Sequence, residues 1–197
     1  MLSVSSEDDA LIAGLCETAE RIKAKLEDCA LEQISPITIS VLPNPPFALE
    51  SCLARYKCEE ERIEIAAPEK LRSVLLPDSP YAKIPVEDLF DSLIAHEMAH
   101  AFFSQMGCVE DECFADQEFV AYAMQFALLP RESRRKVVDA FPDMGPVDPA
   151  EFNPFILYAA PVRFGVRAWS YFSAPGNGCA LVQRIVDREE SFFAPPL

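Results

Sequence analysis

The segment His96-Glu97-Met98-Ala99-His100 sets two histidines four positions apart, with a glutamate directly after the first. On an α-helix, residues four apart share a face, one turn from each other. Two imidazoles placed this way can converge on one metal ion with bonds of about 2.0–2.1 Å. The glutamate between them can take a proton from water that the metal activates. A carbonyl polarised by the metal and a carboxylate that moves the proton together make a hydrolytic site. These are the only two histidines in a chain of 197 residues. Around them Leu93, Ile94, Ala95, Met98, Ala99, Ala101 and Phe102 are uncharged, which places the HExxH segment on a buried helix. Two histidines and a glutamate without partners there would be costly. The alternative is a pair of core histidines satisfied by hydrogen bonds, with no metal.

A catalytic zinc takes three protein ligands and leaves a fourth position open. No third histidine exists, so the third ligand is a carboxylate or, failing that, a cysteine. Glu110, Asp111, Glu112, Asp116 and Glu118 follow on the next helical segment. Glu118 opens the apolar stretch Phe119 to Leu129, so its side chain is the one expected to face inward. The earlier acids cluster in polar first turns, where negative charge suits a helix N-terminus. An antiparallel helix pair turning near Gly107 would return Glu118 beside His100, because residues 111–118 span only about 11 Å along a helix.

With these residues in place the chain resembles the gluzincin branch of the zincin metallopeptidases. The resemblance implies zinc held by His96, His100 and Glu118, with Glu97 as general base, acting on a peptide or protein substrate. It also implies an α+β, zincin-like fold in which a small sheet precedes the HExxH helix. An edge strand there binds extended substrate, and Arg62 to Ala66 is the segment placed to do so. The resemblance covers roughly residues 37–129 and departs from the family in three places. The gap from His100 to Glu118 is slightly short. The usual aspartate four residues after the ligand glutamate is Tyr122. No downstream histidine exists to stabilise an oxyanion, which leaves Tyr158 or Tyr171, both better explained as packing aromatics. Arg163 and Arg167 lie one turn apart and could bind a carboxylate, although a solvated or salt-bridged face explains them better.

The elements that must position this site follow from periodicity. Glu7 to Cys29 reads as an amphipathic helix, with Leu11, Leu15, Ile22 and Leu26 on one face. Ile37 to Leu42 is β-branched and alternating, a strand signal. Cys52 to Lys57 and Arg62 to Ala66 are two further strands, joined by a charged turn. The small sheet is expected to be mostly antiparallel. After a Pro-rich loop, Pro77 to Pro85, the HExxH helix runs to about Gln105 and stops at Gly107. Helices follow over about Asp111 to Leu129, Arg131 to Ala140, Phe155 to Phe172 (broken at Pro161) and Ala180 to Glu189. Helix, sheet and then helices make one α+β domain over residues 1–197: an N-terminal scaffold helix (7–29), a core (37–129) and a helical C-terminal part (130–197).

Half the residues are hydrophobic and the formal charge is −15. A core of ordinary size is therefore available, and an acidic surface repels phosphate backbones, which excludes nucleic acid as a partner. No apolar run approaches the roughly 20 residues that span a bilayer. Seven cysteines form no CxxC pair. Cys52 and Cys58, or Cys108 and Cys113, could each close a short disulfide loop, which would favour an exported or periplasmic setting over the cytoplasm. Buried free thiols are the alternative. The first ten residues, Met1 to Ala10, are polar and acidic and show no signal peptide. Three readings remain: a zinc-dependent peptide hydrolase, a zincin-like binding or regulatory domain without turnover, and a disulfide-stabilised structural protein without metal.

Overall fold

The computed structural model describes residues 1–6, 9–47, 52–107 and 110–192. The sheet begins earlier than the polar character of the first residues suggests. Leu2–Ser5 forms a strand, β1, in which Leu2 and Val4 supply the alternation. Helix α1 (Asp9–Glu27) follows and buries Leu15, Ala19, Ile22 and Leu26. Strand β2 (Ile37–Leu42) has the expected bounds and turns Ile37, Ile39 and Val41 inward. A short edge strand, β3 (Ala54–Lys57), and β4 (Arg62–Ala66) complete the sheet.

The strand order is β1-β2-β4-β3. β1 pairs parallel with β2, and β2 parallel with β4; only β3 and β4 are antiparallel. The expectation of a mostly antiparallel sheet is therefore corrected to a mixed one. Two connections cause this: β1 reaches β2 through the crossover helix α1, and the chain leaving β2 passes through β3 at the edge before β4 returns beside β2 in the same direction. A second correction follows. Arg62–Ala66 is an inner strand, with Ile63, Ile65 and Ala66 fully buried, and the outer edge belongs to Ala54–Lys57.

A short helix not anticipated from periodicity, α2 (Pro68–Val74), starts on a proline at its first position, where the missing N–H costs nothing. Helix α3 (Val86–Gln105) carries the HExxH segment and ends as expected at Gly107, whose φ of +91° few other residues adopt. Helix α4 (Glu110–Leu128) packs along it. Both are buried on more than one side, so neither shows the single apolar stripe of a surface helix. Helix α5 (Arg131–Val138), α6 (Pro154–Ala159), α7 (Pro161–Phe172) and α8 (Cys179–Val186) close the fold, with the expected break at Pro161. Helix α7 reaches α4 at Gly165, where a Cβ would stand 2.6 Å from the Tyr122 ring. The whole is α+β. Among the described residues no helix is long and apolar enough to cross a membrane.

Candidate metal centre

Helix α3 presents His96 and His100 one turn apart, and α4 brings Glu118 against both. Their ligand atoms all lie within 4.8 Å of one another. The Nε2 atoms of His96 and His100 are 3.0 Å apart. Glu118 Oε1 is 3.6 Å from His100 Nε2, and its Oε2 is 3.9 Å from His96 Nε2. Three donors on a tetrahedron with bonds of about 2.05 Å stand about 3.3 Å apart. The two Nε2 atoms stand slightly closer than that, and the Glu118 oxygens, a different one toward each ring, slightly farther, so a modest turn of the carboxylate would suit the set to a small tetrahedral cation.

The charges fit as well. Burial pulls the His96 imidazole well below its usual range; His100 beside it adds to the effect and a hydrogen bond with Gln125 opposes it. Burial lowers His100 to about 4 against an opposing hydrogen bond from Gln117. Both rings are therefore neutral at pH 7, with lone pairs to offer, and their contacts with Glu118 are not ion pairs. Burial raises Glu118 to about 7. Burial and the nearby Glu118 raise Glu97 to about 8, against the pull of the Tyr56 backbone N–H. Two buried carboxyl groups that influence one another resist ionising until a cation joins them.

These groups line a cavity of about 1240 Å3. Ala54, Arg55 and Tyr56 of the edge strand form one wall, and Leu157, Tyr158 and Val162, around the α6–α7 break, form another. Among the described residues the only cationic side chain lining it is Arg55, which is held by Glu64 at 2.8 Å.

The other candidates fall elsewhere. Asp116 accepts hydrogen bonds from Ser191 Oγ at 2.7 Å and from the Phe192 N–H at 2.6 Å, which ties down the C-terminal segment. The side chains of Glu110, Asp111 and Glu112 lie outside the described residues. Tyr158 does line the cavity, exposed and stacked against Phe114, whereas Tyr171 packs with Phe119, Phe152 and Phe192 away from it. Arg167 is buried; it forks onto Glu151 and donates to the carbonyls of Met144, Gly145 and Pro146, so it clamps a loop and receives no substrate. Arg163 is exposed and off the cavity wall.

Tyr122, where the sequence departs from the resemblance, and two residues that no motif indicated also matter here. Tyr122, in the position where the gluzincins carry an aspartate, lays its ring edge-on to His96 at 4.6 Å. Gln125 meets His96 Nδ1 at 3.2 Å. The buried Tyr81 hydroxyl lies beside the Gln125 amide without a well-formed hydrogen bond.

The cysteines pair across the fold. Cys29, just after α1, is bridged to Cys179 at the start of α8, across 150 residues. Cys113 is also in a disulfide, and Cys108, the partner expected for it, lies outside the described residues. The expected Cys52–Cys58 loop does not form; both are free thiols, as is Cys16. Cys58 is exposed, while Cys52 turns to the Ala54 carbonyl and the cavity.

No curated protein and no solved structure matches the chain. Residues 2–194 match DUF6639, a family of unknown function, and the chain belongs to that family.

Proposed function

We propose that this protein is a zinc-dependent hydrolase of peptide bonds, with His96, His100 and Glu118 holding the ion and Glu97 acting as general base. The observation that carries the reading is the convergence of the two histidines with Glu118 at tetrahedral spacing, with Glu97 buried beside them in a cavity large enough for a substrate. Zinc when bound would supply Lewis acidity toward a carbonyl and lower the pKa of water at the site. Glu97 accepts a proton from that water and delivers it to the leaving amine.

The edge strand supports an extended substrate. The Ala66 N–H bonds the Leu53 carbonyl at 3.1 Å, which fixes the hydrogen-bonded positions of the β3–β4 pair. By alternation, Arg55 and Lys57 bond β4, while Ala54 and Tyr56 turn their backbone groups toward the cavity. A peptide laid alongside could add a strand there. The bridges at Cys29–Cys179 and Cys113 support action in an oxidising compartment, outside the cytoplasm.

The test is metal content by mass spectrometry together with digestion of a peptide library. Wild type is expected to carry about one zinc per chain and Glu118→Ala much less. Glu97→Gln is expected to keep zinc and lose cleavage. Zinc bound with no cleavage by wild type would favour a non-catalytic binding domain, and a wild type unable to take zinc would end the reading.

A further inference from the structure

The hydrogen atoms around His96 can be counted. Ser92, one turn before it on α3, has a single hydroxyl proton. Its Oγ lies 2.8 Å from the Leu89 carbonyl, which can only accept, so the proton goes there. Ser92 Oγ therefore meets Gln125 Nε2, at 3.4 Å, as an acceptor. This turns the Gln125 amide so that Oε1 faces His96 Nδ1 at 3.2 Å. An amide oxygen carries no hydrogen, so Nδ1 bears the ring proton and Nε2 bears the lone pair. All three residues are buried, at 1 % exposure for Ser92 and Gln125 and 9 % for His96, which shields these bonds from solvent.

We propose that Gln125 is the positioning residue of this centre: its side-chain oxygen fixes the His96 ring in the Nδ1–H form and presents an unprotonated Nε2 to the metal. This rests on His96 being a ligand, as set out above. Tyr122, one turn after Glu118, meets His96 ring to ring, and the polar contact at Nδ1 comes from Gln125. Gln125 is seven residues after Glu118, two helical turns on, and so shares its face of α4. A neutral amide at Nδ1 leaves the His96 ring less basic than a carboxylate there would.

An asymmetry follows. His96 Nε2 has no hydrogen and lies 3.0 Å from His100 Nε2, so His100 must donate across that gap in the metal-free protein. The two rings are then opposite tautomers. His96 is ready to bind a metal, while His100 gives up its Nε2 proton and takes one at Nδ1, with no change of net charge.

The chain has two histidines, so 15N spectra of histidine-labelled, metal-free protein at pH 7 contain two rings. One Nδ1–H ring and one Nε2–H ring are expected, becoming two Nδ1–H rings when zinc is added. Gln125→Met keeps the volume and loses the acceptor; the His96 tautomer should become mixed and zinc affinity should fall roughly 10–100-fold. Gln125→Glu restores the acceptor and should restore both. Ser92→Ala, a smaller change, should mix the tautomers by freeing the amide to flip. Equal zinc affinity and an unchanged tautomer in Gln125→Met would overturn the role of Gln125 while leaving the metal site standing. Zinc binding to neither wild type nor variant would remove the metal reading and this role with it.

Discussion

Replacing Cys29 and Cys179 together by alanine should lower stability a great deal and leave the metal centre alone. The bridge ties the end of α1 to the start of α8 and closes a loop of 150 residues. In the chain-entropy account, a cross-link over a loop of that size removes roughly 17 cal/mol/K from the unfolded ensemble, or about 5 kcal/mol at 25 °C. Native disulfides removed from small domains cost about 2–5 kcal/mol, so this lies at the upper end. A chain of 197 residues unfolds with an entropy of roughly 0.4 kcal/mol/K near its midpoint. The expected fall in Tm is therefore about 5–12 °C. Alanine suits the buried Cys29, because serine would bury a hydroxyl. The assay is calorimetry of the zinc-free wild type and double variant without reductant, so that the disulfide at Cys113 is kept in both. Neither Cys29 nor Cys179 lines the cavity, so zinc affinity should be unchanged. A Tm within about 2 °C of wild type would refute the reasoning, since either the bridge or its constraint on the unfolded chain would then be missing.

Stability of the metal-free protein should fall as pH rises from about 6.5 to 8.5, measured by urea denaturation in chelator. Glu97 and Glu118, raised to about 8 and about 7, hold protons more firmly folded than unfolded, and that stabilisation is lost as pH climbs through those values. The lowered histidines act oppositely, but only below about pH 6.5, so they do not mask the fall, and saturating zinc should flatten it. Gly165→Ala should cost about 1–3 kcal/mol in the same denaturation assay and weaken zinc binding, because the new methyl drives the Tyr122 ring toward His96. Asp116→Ala should release the segment at Ser191 and Phe192, read as faster proteolysis of the C-terminus, and should leave zinc affinity unchanged. A loss of zinc in Asp116→Ala would make that residue a ligand after all.

The sequence and the structure agree wherever the determinants are local. Strand Ile37–Leu42 keeps its expected bounds because alternation and the following Pro43 act within a few residues. The HExxH helix stops where Gly107 permits a positive φ. What failed was long-range. Leu2–Ser5 is too short to stand out until β2 pairs with it, and the parallel pairing of β2 with β4 depends on how the chain between them crosses, which periodicity does not report. Which of two hairpin strands lies outermost is decided by the third strand that one of them meets, so Arg62–Ala66 was placed at the edge. The cysteines misled in the same way: Cys52 and Cys58 are near in sequence and unpaired, while the bridged pair lies 150 residues apart. At the site, Glu118 was legible as an acid opening an apolar helix. Gln125 was not, because an amide in such a helix has no signature until the proton on Ser92 is followed to its acceptor.

The cavity's own charges say what completes it. Its lining contains Glu97, Glu118 and Arg55 as charged side chains. Arg55 is committed to Glu64 and lies over the Phe47 ring, so it does not neutralise the two carboxyl groups. The neighbouring imidazoles do not neutralise them either, because both rings are neutral and meet glutamines and each other. The protein therefore places two acids and two lone-pair donors around one point, inside packing formed by residues as fully buried as Ile94, Ala99 and Phe119. A fold that needed only stability would fill that space with apolar side chains. Keeping four polar groups there makes sense if a cation at that point repays their desolvation. Metal binding and folding stability are then coupled, and zinc should raise the midpoint of unfolding by an amount that grows with its concentration.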